Sequence, residues 1–314
     1  MKILCIGHIT RDKIVTPQLT QYMAGGTTTY VALGLSSILQ SVGRDKASAI
    51  DFRLIASLAP ADSEIVTGIR STGITVEVIP SVETMFFENI YGAESSDRRQ
   101  NVRSIGDPFS ITKLRPFIEP LRHEQHRPYI ILGSLLAEDF PLDVVSYCSE
   151  VGKVVMDAQG YFREVRFIEQ EKSKRLGKVF ECEWKDKDQF LSKIDVLKLN
   201  ENEAKLITNE DDLHRAAQIL HDNGVKEVLL TLGRQGSIIA ADGQVMDIPV
   251  VPETETIDAT GCGDTYVMAY IYRRSLGFSP YESGLFASSA ATFKLEGTGP
   301  LQATEEAIIA RIVR

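Results

Sequence analysis

Ile257-Asp258-Ala259-Thr260-Gly261-Cys262-Gly263-Asp264-Thr265 runs straight into Tyr266-Val267-Met268-Ala269-Tyr270-Ile271-Tyr272-Arg273-Arg274-Ser275-Leu276-Gly277. The second half reads as a helix. Apolar residues recur at Val267, Ile271 and Leu276, Arg273 and Arg274 fall in a last turn where cations suit the dipole, and Gly277 can end it. The helix therefore starts near Gly261–Asp264. Its first-turn N–H groups have no acceptor inside the helix, and Gly261 and Gly263 let a ligand approach closely, so the segment predicts an anion site. Asp264 beside such a site suits a general base next to a transferring phosphoryl group; an acidic cap after a glycine turn is the competing reading. With Gly at about 7% and Asp at about 5%, G-x-G-D alone arises by accident in roughly one chain in ten of this length. Requiring Asp258 and Thr260 as well lowers that to roughly a few per ten thousand, which gives the extended motif its weight.

Upstream, short apolar runs at Lys2–Gly7, Phe52–Ser57, Tyr129–Gly133, Lys153–Asp157, Asp195–Asn200 and Glu227–Leu232 are continuous rather than alternating, as strands covered on both faces should be. Helical segments at Thr27–Val42, Leu142–Val151, Glu201–Ile207 and Leu213–Asn223 fall between them, with Asp211 or Asp212 as a cap and Gly224 as a terminator of the last. The alternation predicts an α/β fold with a mostly parallel central sheet flanked by helices. Two polar stretches, Ile9–Ala24 and Ser81–Arg103, break it. They read either as a small sheet projecting from the main body, with a turn at Gly92–Asp97, or as long surface loops. The charged region Glu164–Lys187 reads as a solvated helix or excursion.

The 314 residues are 43% hydrophobic and 25% charged, and Lys plus Arg is 34 against 43 for Asp plus Glu, a net charge of −9. That excludes a disordered or coiled-coil chain and argues against nucleic acid or a membrane surface as partner, because both call for a basic face. The four cysteines form no CxxC and no zinc spacing, so the chain is expected to be reduced and cytoplasmic, without a signal peptide or membrane span.

The segment Asp258-Ala-Thr-Gly-Cys-Gly-Asp264 resembles the D-x-T-G-A-G-D motif of the ribokinase-like (PfkB) carbohydrate kinases. The resemblance extends in order along nearly the whole chain. Gly7 and Asp12 match an N-terminal G-x-x-x-x-D whose Asp holds acceptor hydroxyls. Gly25 and Gly26 match a di-glycine that approaches the sugar, Asn200 and Glu203 an N-x-x-E that organises Mg²⁺ and phosphates, and Thr231 and Gly233 a T-x-G turn by the nucleotide. Each has a plainer reading alone: a turn, a helix entry, a capping box, a strand end. Together, each at the C-terminal end of an expected strand, they sit where open α/β sheets bind ligands.

The resemblance implies one ribokinase-like unit over 1–314, with a β lid formed by about 9–24 and 81–104 that closes over the acceptor and could pair two copies as a homodimer. It implies ATP along Thr231–Gly233 and the last two helices, the second starting at the capping box Ser279-Pro-Tyr-Glu282. Asp264 would take the acceptor proton while the N–H groups of Gly261, Cys262 and Gly263 hold the phosphoryl charge. Mg²⁺ would be held through water by Asn200 and Glu203, and a monovalent cation such as K⁺, of the kind many relatives bind near the motif, by Asp258 and Thr260.

The acceptor departs from the sugar-kinase pattern. Tyr30 stands where many relatives carry Asn, which puts a ribose-like acceptor in doubt. With Met156–Arg163, Glu88–Tyr91 and Arg98–Gln100, it resembles the inositol-kinase-like branch, in which Asp12, Asn89, Gln159 and Arg163 would meet a cyclic polyol. A nucleoside kinase with aromatics around Tyr30 and Phe86, or a non-catalytic binding protein on this scaffold, are the alternatives. A dinucleotide oxidoreductase is excluded because Gly7-His-Ile-Thr-Arg-Asp12 is not G-x-G-x-x-G. The five histidines show no ligand constellation, and Trp184 reads as a packing anchor.

Overall fold

The computed structural model describes residues 1–17, 20–91, 98–168 and 176–312. Its main sheet has nine strands in the spatial order Gln244–Ile248, Ser237–Ala241, Glu227–Thr231, Val196–Asn200, Lys153–Asp157, Tyr129–Gly133, Lys2–His8, Asp51–Leu58 and Thr75–Pro80. The last seven of these pair in parallel, and the first two add an antiparallel edge. The apolar runs are buried on both faces, as their continuous pattern requires. One face packs on helices Thr27–Ser41, Ser63–Arg70, Cys262–Ser275, Pro280–Leu295 and Glu305–Ile312, the other on Ile111–Ile118, Leu142–Val151, Glu201–Thr208 and Leu213–Asp222. Helix Cys262–Ser275 is buried from Thr265 to Tyr272 because it lies between Thr27–Ser41 and Pro280–Leu295. Glu305–Ile312 follows, so the two helices expected to be last are not the final ones.

The two polar stretches form strands of a second sheet, ordered Arg163–Ile168, Leu176–Glu181, Arg98–Ser104, Met85–Tyr91, Thr10–Val15 and Thr20–Gly25. Part of Glu164–Lys187 joins it as an antiparallel pair, which corrects the expectation of a solvated helix. Its charges alternate with Val165 and Val179, a period-two pattern that reads as polar until one face is seen to pack on Met85, Phe87 and Val102. The turn expected at Gly92–Asp97 and the side chain of Arg98 lie outside the described residues. Trp184 packs, stacked on Tyr161 with ring centroids 4.3 Å apart. No helix among the described residues is long and apolar enough to cross a membrane.

Candidate active site

The chain enters helix Thr27–Ser41 through Gly26, whose φ of 86° lies in the left-handed region where a side chain is strained. The entry is locked by hydroxyl bonds from Thr28 to the carbonyl of His8 at 2.7 Å and from Thr29 to that of Gly25 at 2.6 Å. A Cβ at Gly25 would lie 2.3 Å from Asp12 Oδ2, so glycine lets the strand pass that carboxylate. The second entry, Gly261, has φ 79°. A Cβ there would lie 2.2 Å from the Tyr30 ring. Tyr30 is therefore the support beneath the turn, 2% exposed, and not a wall of either hollow described below. This corrects its expected contact with the acceptor: three residues into the helix, its side chain points at the neighbouring turn.

Within that turn Cys262 N–H donates to the carbonyl of Ala259 at 3.2 Å, and Thr265 N is the first to reach back, to Gly261 O at 2.9 Å. Of the amides expected to hold an anion, that of Cys262 is thus engaged in the turn itself. The expected Gly263 amide, and the Asp264 amide that was not among those expected, lie in the first turn, ahead of the intrahelical ladder.

Two hollows meet here. One is a cleft of about 340 Å³ whose walls include Thr231, Gly233, Val250, Tyr266, Ala291 and Leu295. The other is a cavity of about 160 Å³ between the main sheet edge and the second sheet, with Asp12, Asn89, Gln100, Gln159, Arg163 and Lys198 on its walls. Gly263 and Ala259 belong to both, and Asp264 and Gly26 face the polar cavity. Asp12 accepts from the Thr10 hydroxyl at 2.6 Å, and Gln100 donates to Asn89 Oδ1 at 2.9 Å. Phe87 and Leu135 are the apolar walls; Phe86 instead lies under the Arg11 guanidinium.

Asp264 keeps part of its surface open to the cavity, but protein surrounds its carboxyl densely. Burial, with the Asp157 charge nearby, pushes its pKa up to about 6, against a Thr27 hydroxyl bond and the charges of Lys198 and Arg163. Lys198 is the residue that sequence reasoning missed. It interrupts the apolar run Val196-Leu-Lys-Leu-Asn200, is 6% exposed, and places Nζ 2.9 Å from Asp157 Oδ2. Its register partner on the neighbouring strand is Asp157 itself. Burial pulls its proton affinity down, but Asp157, Glu203 and Asp264 more than offset that, and the net direction is up. The ammonium also flanks the turn, 2.8 Å from where a Cβ on Gly263 would sit.

Asn200 and Glu203 form a reciprocal capping box, with bonds of 2.9 and 2.8 Å, as their plainer reading foresees. They line a third, polar hollow beside Gln159 and Arg163, not the apolar cleft. Burial raises the Glu203 pKa, with Lys198 opposing. Among the described residues no three His, Cys, Asp or Glu gather as a ready metal cluster. The set still fits Mg²⁺, which keeps most of its waters and takes one or two carboxylates plus substrate phosphates. His8 is packed away from the hollows, 1% exposed, 3.6 Å from Asp139 and against Phe109. Asp258 Oδ1 accepts from Thr260 N at 2.9 Å, Thr260 lines the polar cavity, and the buried Lys294 ammonium reaches Asp258.

The profile of the pfkB family carbohydrate kinases matches residues 143–307, just over half of the chain. The ribokinase of Arabidopsis thaliana is 30% identical over 120 residues, 36% of this chain and 32% of that protein. The cytidine kinase of Thermococcus kodakarensis is 34% identical over 91 residues, 28% of this chain and 32% of that protein. These matches span about a third of the curated relatives' length. Among solved structures, a pyrophosphate-dependent kinase of the ribokinase family, complexed with a pyrophosphate analogue and myo-inositol, superposes with a TM-score of 0.76 at 24% identity, over 98% of this chain and 99% of that one. The Arabidopsis thaliana ribokinase with ribose and ATP gives 0.72 at 18% identity, over 99% and 98%. At such identities the likeness establishes the ribokinase-like fold.

Proposed function

Because this chain belongs to the pfkB family of carbohydrate kinases, we propose that it transfers the γ-phosphoryl group of ATP to a hydroxyl of a cyclic polyol or sugar. The single observation that carries this reading is the meeting of an apolar cleft and a polar cavity at Gly263, with Asp264 on the polar side.

In this reading the donor lies in the cleft with its base among Val250, Ala291 and Leu295. Its terminal phosphate rests on the Gly263 and Asp264 amides at the positive end of the helix. Asp12, Asn89, Gln159 and Arg163 hold the acceptor so that one hydroxyl faces Asp264, which accepts its proton as the oxygen meets phosphorus. Lys198 neutralises charge on the phosphoryl oxygens and keeps Asp157 from forcing a proton onto Asp264. Glu203, with Asn200 beside it, would hold Mg²⁺ through water, and the ion would supply positive charge to the donor phosphates.

A polyol is favoured over a nucleoside because the cavity is walled mainly by polar side chains, with Phe87 and Leu135 as its apolar ones, and neither Tyr30 nor Phe86 reaches it. ATP is favoured over pyrophosphate because pyrophosphate would leave the apolar walls of the cleft without a partner. An ADP-release assay across inositols, pentoses, hexoses and nucleosides, repeated with pyrophosphate and phosphate detection, tests both points. Turnover with an inositol and ATP is expected; turnover confined to nucleosides, or to pyrophosphate, would overturn the corresponding half.

A further inference from the structure

Lys294 is a cation near a helix C-terminus, which suits the dipole, but it is withdrawn from the water in which such a cation is ordinarily left. It stands in the last turn of Pro280–Leu295 and is 1% exposed. A buried ammonium must find oxygen partners, and this one has three. Nζ lies 2.8 Å from the carbonyl oxygen of Asp258, 3.0 Å from that of Gly297 and 3.5 Å from Asp258 Oδ2. Two backbone carbonyls and a carboxylate around one enclosed positive charge are the donors a monovalent cation would take. They come from two segments, the stretch that leads into the Gly261 turn and the chain leaving the helix.

Asp258 is the residue that the resemblance assigns to a bound monovalent cation. The donors at hand do not fit one, because the ammonium already holds them and a second positive charge beside it would be repelled in a buried setting. We infer that Lys294 is a built-in replacement for that cation: its ammonium fixes Asp258, and through Asp258 the anion turn, without potassium. The connection is short. Asp258 Oδ1 takes the Thr260 N–H at 2.9 Å, and the next residue is Gly261. The amides of Ile257 and Asp258 also bond to Leu295 O, at 2.9 and 3.1 Å, so the two segments stay in register around the ammonium. Lys294 is a positioning residue in this account; it does not line the donor cleft or the acceptor cavity.

The wild-type protein is the first test. Its melting temperature, and its turnover once an acceptor is known, are compared in potassium and tetramethylammonium chloride at one ionic strength. The two salts should give the same values. The second test is Lys294→Ala, which opens room for an ion. That variant should melt several degrees lower in tetramethylammonium and recover with potassium, ammonium or ethylammonium. Its turnover should fall about tenfold and return with the same ions. Should the alanine variant not fold, Lys294→Gln, which retains a polar end but no charge, takes its place. Potassium activation or stabilisation of the wild type would overturn the inference, as would a folded variant indifferent to every cation. Melting reads the site without catalysis, so a wrong substrate assignment leaves this test intact.

Discussion

The apolar cleft and the polar cavity share Gly263 yet are built by opposite means. The cleft belongs to the main sheet edge and the helices beside it, and its walls are small and apolar: Val250, Ala291, Leu295 and the glycines around Thr231. Such a wall accepts any flat apolar group, and its specificity comes from backbone amides at one end. The cavity is assembled from both sheets, and its carboxylates, amides and cations already bond one another, as Lys198 does Asp157 and Gln100 does Asn89. Specificity is therefore expected to reside in the cavity and bulk binding in the cleft, because a buried polar group left unpaired costs more than a lost apolar contact gains.

The strongest way to break this contrast is Asp264→Asn, which should lower turnover by about two to four orders of magnitude while donor binding persists. The same change should stabilise the protein. The Asp264 pKa is raised in the fold, so its favourable contribution is present at low pH and lost as pH rises through about 6. Above that the buried anion opposes folding. The variant should melt a few degrees above wild type at pH 8, with the gap closing towards pH 5; a lower melting temperature at pH 8 would contradict the assignment.

Lys198→Met should be the most destabilising change in the cavity, by about 3–5 kcal/mol in urea unfolding, because Asp157 loses its buried partner. An unchanged midpoint would mean that the pair is solvated. A smaller effect separates the two hollows. Asn89→Leu should raise the acceptor KM about tenfold and leave the ATP KM alone, while Ala291→Phe should do the reverse. Both variants moving the same KM would deny that the compartments are distinct. The smallest is Ser279→Ala, at the far end of the helix behind the cleft. Losing that cap should cost about 1 kcal/mol in urea unfolding with both KM values unchanged.

How much the sequence disclosed follows the same divide. The runs at Tyr129–Gly133 and Lys153–Asp157 and the helix Leu142–Val151 were legible to the residue, because continuous apolar runs and amphipathic segments between them leave few alternatives. The edge hairpin Ser237–Ala241 and Gln244–Ile248 was missed although Asp242-Gly243, both at positive φ, is a hairpin signal. The strands Arg163–Ile168 and Leu176–Glu181 were missed because alternating charge reads as solvation until a partner face is known. In the site, the glycine turn and Asp264 were visible as a spacing. Lys198 and Lys294 were not, because a single cation in an apolar run becomes informative only when its carboxylate or carbonyl partners, far away in sequence, are brought alongside.

The proposed phosphoryl transfer stands on Asp264 acting as the base at the junction of the two hollows. The most direct measurement is kcat/KM for the acceptor as a function of pH. A base whose pKa is about 6 must be ionised to work, so kcat/KM should be level above that value and fall about tenfold per unit below it. That acid limb should survive in Glu203→Gln, whose titration lies outside the proton transfer. A profile flat from about pH 5 to pH 8, or a limb that disappears with Glu203, would contradict it.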